Sequence, residues 1–164
     1  MEKTNVKYNA YIKILEEELR PAMGCTEPIA LAYAAAVARK VLGELPDKVV
    51  IGASGSIIKN VKSVIVPNTD HLKGIPAAAA AGIVAGDPDK ELEVIASVEK
   101  EAIAEMKEFL KKTPISVEHV DNGFTFEIVV TLYKGEAWSR VRIVNFHTNI
   151  VLIEKNGEIL KEVP

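Results

Sequence analysis

Residues 20–42 read RPAMGCTEPIALAYAAAVARKVL, and the fold follows from how this stretch is taken. From Ile29 to Leu42 the chain is apolar on almost every side until Arg39 and Lys40. A helix apolar all round is buried on most of its faces. Pro28 suits the first turn, where a missing N–H costs nothing. Thr26 or Glu27 can offer a side-chain oxygen to the free amides. Arg39 and Lys40 oppose the negative end of the macrodipole, and Gly43 is placed to end the helix. The stretch predicts a buried central helix with Cys25 in the turn at its positive end.

Outward from that helix, Tyr8, Ile12, Leu15 and Leu19 recur at helical steps, so residues 5–19 are expected to form a helix that Pro21 stops. On the other side, Lys48 to Gly52 reads as a short strand. Ala53 to Ser56 is a small-residue turn, with a short helix over Ile57 to Val61. Val64 to Val66 reads as a second short strand. Lys73-Gly74-Ile75-Pro76 opens an Ala-rich helix over Ala77 to Ala85. From Glu91 to Lys112 the apolar positions Leu92, Ile95, Val98, Ala102, Met106 and Phe109 make one helix face.

The period then drops to two. Phe124, Phe126, Ile128, Val130 and Leu132 alternate with Thr125, Glu127, Val129, Thr131 and Tyr133, which is strand periodicity. Lys134-Gly135 is a tight turn, and Trp138 to Asn145 alternates again. Asn149 to Glu154 gives another strand, and Asn156-Gly157 is a hairpin signal before Ile159-Leu160. Ile115 to Val120 can add a further strand. The expected class is α+β: buried Ala-rich helices with short strands, then an amphipathic helix and an antiparallel meander. The change near Thr113 divides a mainly helical part, 1–112, from a β lobe, 113–164, packed on the helix 91–112.

Composition narrows the function. The 164 residues carry a formal net charge of −3, with Lys and Arg spread along the chain, so no nucleic-acid footprint is drawn. The N-terminus has no apolar core of a secretory signal. The Ala-rich stretches are too short to span a bilayer. A single cysteine makes no internal disulfide and fits a reducing, cytoplasmic compartment.

Few residues carry chemistry on their own. Cys25 is either a small buried hydrophobe or a thiolate favoured by the helix N-terminus, able to bind metal or attack an electrophile. Ser54-Gly55-Ser56 with Lys59 and Asn60 makes either an anion-binding turn or an ordinary serine-capped one. Pro67-Asn68-Thr69 and Lys73-Gly74 are turn residues that can also line a pocket. His147-Thr148-Asn149 can hold a polar ligand or satisfy the backbone of a bulge. Glu27 is a base near Cys25 or a cap. His71 and His119 are given no role.

Several blocks in fixed order resemble a known family: RPAMGCTEPIALAYAAAVARK, the Ser54 to Asn60 turn, VPNT with KGIPAAAAAGIVAG, and HTNIVLIE. They resemble the N-terminal portion of the L-cysteine desulfidase and serine dehydratase alpha-chain-like family. The resemblance implies an iron–sulfur-dependent, pyridoxal-independent lyase. Such an enzyme β-eliminates L-cysteine or L-serine to pyruvate and ammonia, with hydrogen sulfide or water. A 4Fe–4S cluster on cysteine thiolates would use an open iron as Lewis acid on the leaving group. Cys25 matches the family's first cluster ligand. The remaining ligands would come from a missing C-terminal part or a partner subunit with further cysteines. The chain alone is then expected to lack the cluster and be inactive. The α-proton base is unassigned. Thr26, Ser54, Ser56, Lys59, Asn60, Asn68, His147, Thr148 and Asn149 are the expected contacts to an amino-acid substrate. A homo-oligomer is possible on this reading.

Two other readings stand beside it. One is a small-ligand or partner-binding α+β module without catalysis. The other is a hydrolase using Cys25 as nucleophile with His147.

Overall fold

The structure, a computed structural model, describes residues 26–62, 64–67, 69, 72–96 and 98–163, with the side chains of Thr26 and Leu92 left aside. The helix expected over 5–19 and the Cys25 turn lie outside the described residues.

Helix α1 spans Thr26–Leu42. Ala30, Leu31, Ala32, Ala34, Ala35 and Ala38 are fully buried, as its apolar composition demands. Gly43 ends it: its N–H donates to the Arg39 carbonyl at 2.9 Å, in a left-handed conformation with φ of 89°. Strand β1 (Lys48–Ala53) and the short α2 (Gly55–Val61) follow. Helix α3 runs Gly74–Ala85 and is buried along Ala77 to Ile83. It crosses α1 through its glycines. A Cβ on Gly82 would lie 2.0 Å from the Ala32 carbonyl oxygen, and one on Gly86 2.8 Å from the Ala36 Cβ. The small residues on both helices let the backbones touch.

Two expected elements differ. Val64 to Val66 is not a strand; Ile65 makes one isolated bridge with Lys73, and the Val66 N–H donates to the Leu72 carbonyl. The helix expected over 91–112 is also shorter. A 3-10 segment occupies Pro88–Glu93, Glu91 sits at φ 48°, and helix α4 begins only at Lys100 and ends at Lys112. Ile95 is buried in the turn that follows the 3-10 segment, so its spacing from Val98 reflects core contacts along a turn. Met106 and Phe109 are the buried positions of α4.

The strands β2 (Ile115–His119), β3 (Glu127–Lys134), β4 (Ala137–Val144), β5 (Ile150–Lys155) and β6 (Glu158–Glu162) join β1 in one sheet, in the order β2-β1-β3-β4-β5-β6. β3 to β6 form the antiparallel meander. β1 inserts beside it, antiparallel to β3 and parallel to β2. The α+β class stands, with a mixed six-stranded sheet.

Register separates the two faces. Val49, Ile51 and Ala53 align with Leu132, Val130 and Ile128, which align with Ser139, Val141 and Ile143. All of these are buried. Helix α1 lies against β3, β4 and β5, and α4 packs on α3 behind it. Ser139 is tolerated at this interface because its hydroxyl donates to the Ala38 carbonyl at 2.8 Å. The opposite face carries Glu127, Val129, Thr131 and Tyr133 beside Trp138, Arg140 and Arg142, and most of these are only half-buried.

Candidate functional site

The register brings one end of the sheet together from distant parts of the chain. Ala53 pairs with His119 and with Ile128, Glu127 with Val144, and Ile143 with Ile150. The turn at Ser54, the loop from Val120 to Phe126 and the loop from Asn145 to Asn149 therefore all emerge at the same end.

Ser54 stitches two of these segments. Its hydroxyl donates to the Thr125 carbonyl at 2.8 Å and accepts from the Glu127 N–H at 3.1 Å, while its own N–H donates to the Glu127 carbonyl. The Ser56 hydroxyl donates to the same Thr125 carbonyl. Both serine protons are thus committed to the start of β3. On the other side the Asn145 N–H donates to the Phe126 carbonyl. The His147 ring meets Phe126 edge-on, with centroids 4.8 Å apart. Asn149 Nδ2 donates to the Val144 carbonyl at 2.8 Å and holds the loop closed. Thr148 offers its carbonyl to the Ile150 N–H. The backbone-satisfying reading of the His147 to Asn149 segment therefore accounts for the bonds of Thr148 and Asn149.

Helix α1 reaches this end as well. Asn60 Nδ2 donates to Glu27 Oε1 at 3.4 Å, and Glu27 Oε2 is buried without a hydrogen-bond partner. Lys59 is exposed on α2. Cys25 and Asn68 lie outside the described residues, and Thr26 is described only as the first residue of α1.

The strongest electrostatic feature was not singled out from the sequence. Glu127 is fully buried, with a side chain 1% exposed. Arg142 Nε donates to its Oε2 at 2.7 Å, and Asn122 Nδ2 lies 3.1 Å from both carboxylate oxygens. Arg142 stacks over the Phe124 ring at 5.4 Å and stays 31% exposed. A buried ion pair is seldom a net source of stability against apolar replacement, because desolvation offsets the attraction. Here it sits at the solvent end of a sheet, where one guanidinium is fixed and part of it remains open. Alternation within each strand gives Glu127 and Arg142 a face of their own strand, and the hairpin register that puts Val129 opposite Arg142 makes it the same face.

Among the described residues no group of three or more His, Cys, Asp or Glu side chains is arranged to hold a metal ion. No helix among them is long and apolar enough to cross a membrane.

No family model matches this chain. It is 54% identical over 160 residues to a UPF0597 protein of Desulfitobacterium hafniense, an alignment covering 98% of this chain and 37% of that relative. To the UPF0597 protein of Treponema denticola it is 46% identical over 158 residues, covering 96% of this chain and 37% of the other. To that of Vibrio campbellii it is 38% identical over 161 residues, covering 98% and 38%. The chain spans a little over a third of the length of these relatives. These similarities correct the family drawn from the GCTEP and HTNI blocks. Relatives aligned along nearly the whole chain carry the UPF0597 name, which states no desulfidase, dehydratase or iron–sulfur chemistry. The lyase assignment, and the β-elimination of cysteine or serine with it, is withdrawn.

Proposed function

We propose that this chain is a small-ligand-binding α+β module whose site is the polar end of the sheet. The observation that carries the reading is the buried Glu127 holding Arg142 against Phe124 beside the loops that emerge there. A fixed guanidinium costs a ligand little ordering entropy on contact, because its rotamer is already set. Ser54 and Ser56 serve this site by pinning the start of β3, which carries Glu127. The cytoplasm, where a lone cysteine stays reduced, is the compartment that fits the same proposal.

The test is a fragment screen by two-dimensional NMR on the isotope-labelled chain. The reading expects saturable shifts confined to Ala53–Ser56, Asn122–Glu127, Arg142 and Asn145–Asn149. Shifts that gather elsewhere, or none from any fragment class, would contradict it.

A second reading is partner binding along the edge strand β6, where Ile159 and Leu160 are each 52% exposed. An edge with apolar side chains can template pairing with another strand. Light scattering on wild type and a Leu160→Lys variant decides this: an assembly that the lysine dissolves supports it, and identical monomers speak against self-pairing.

A further inference from the structure

We infer that the ligand of this site is a small monocarboxylate with an apolar body, its carboxylate seated on Arg142 and its body beside Phe124. The inference rests on the ligand-binding reading above and specifies the chemistry of its occupant.

Two arginines stand on this sheet face, and they are engaged differently. Arg140 donates through Nε to Thr131 Oγ1 at 3.1 Å, lies 3.7 Å through Nη1 from Glu154 Oε1, and stacks over Trp138 at 5.0 Å. Thus Arg140 has an acceptor at a terminal nitrogen as well as at Nε. Arg142 meets Glu127 through Nε. A guanidinium is planar, and its terminal nitrogens form a second donor edge turned away from Nε. Among the described residues the contact of Arg142 to a carboxylate runs through Nε, and the second edge is the one turned to a ligand. Parallel donors on a flat fork match the oxygens of a carboxylate. Phe124, 36% exposed, supplies an apolar wall next to the same guanidinium.

Local charge sets the valence. Glu127 already balances Arg142, so a bound monocarboxylate leaves the cluster with one surplus negative charge. A phosphate dianion would leave a larger surplus in the same half-buried place, where repulsion is poorly screened. Lys59 on α2 is exposed, so solvent and salt screen its charge and it offsets little of that surplus.

The experiment titrates the whole chain with benzoate, benzamide, benzylamine and inorganic phosphate, following the site resonances by NMR. Benzoate is expected to shift them saturably and to bind more tightly than the other three. Arg142→Gln is expected to weaken benzoate binding about tenfold or more. Phe124→Ala, at a partly exposed position, should weaken benzoate more than acetate. Lys111→Gln on the exposed side of α4 should change nothing. Benzamide binding as tightly as benzoate would overturn the carboxylate assignment while the site itself stands. Benzoate binding equally well to Arg142→Gln would do the same. If no compound of any class moves these resonances, the ligand-binding reading falls as well.

Discussion

A Cβ added to Gly82 would sit 2.0 Å from the carbonyl oxygen of Ala32, well inside any van der Waals contact. The obstructing atom is backbone in the middle of α1, so no side chain can rotate out of the way. Gly82→Ala must therefore push α3 away from α1 and disturb the contacts of Ala78, Ala79 and Ile83. Helix propensity alone would favour alanine by about 1 kcal/mol, and the clash should outweigh it. Chemical denaturation is expected to show a net loss of about 2–3 kcal/mol. A variant as stable as wild type would show that the two helices do not cross this closely.

Ser54 and Ser56 donate to the same carbonyl, but only Ser54 is buried. Ser54→Ala removes the acceptor of the buried Glu127 N–H and leaves the Thr125 carbonyl to Ser56 alone, at a cost of about 1–3 kcal/mol. Ser56→Ala removes one bond at an exposed site and should cost less than about 1 kcal/mol. Equal losses in paired denaturation curves would mean that Ser54 is not the pin between β1 and β3.

Much of this architecture was legible because it is local. The unbroken apolar run from Ile29 announces a buried helix. Asn156 and Gly157 both adopt positive φ, as an Asn-Gly hairpin turn requires. What stayed hidden is long-range. Nothing in Ile115 to His119 says that it pairs parallel to a strand some sixty residues earlier. The extended backbone of Glu99, at φ −88° and ψ 160°, interrupts a helix that the apolar spacing alone would continue. Glu127 and Arg142 are close because the hairpin between Lys134 and Ala137 sets Arg142 opposite Val129, one step along the same face. The His147 segment was marked for its polar residues, yet Asn149 spends its amide on its own loop.

Tyr33 is buried in α1, and burial, followed by the nearby charges of Glu91 and Asp89, raises its phenol above the ordinary value near 10. The folded protein therefore holds this proton more tightly than the unfolded chain does. The associated stability is complete below about pH 10 and is lost as pH climbs from there through the raised folded value. Tyr33→Phe should flatten this alkaline decline in a series of denaturation curves. An unchanged slope above pH 10 would remove Tyr33 as its source.

Removing one member of the Glu127–Arg142 pair leaves the other exposed to the full cost of its surroundings. Arg142→Gln keeps a buried carboxylate with Asn122 as its side-chain donor among the described residues, and about 3 kcal/mol of stability should go. Adding Glu127→Gln to that variant should restore part of the loss, with a coupling energy of about 1–3 kcal/mol in the double-mutant cycle. Strictly additive effects would show that the two side chains do not depend on each other.

The side-chain Nε–H resonance of Arg142 reports most directly on whether this pair presents a guanidinium to a ligand. It is followed while benzoate is added to the labelled chain. The account expects a slow-exchanging signal, protected by Glu127, that shifts saturably in step with the backbone amides of Asn122 to Glu127. A resonance that stays fixed through a titration that moves other parts of the protein would contradict it.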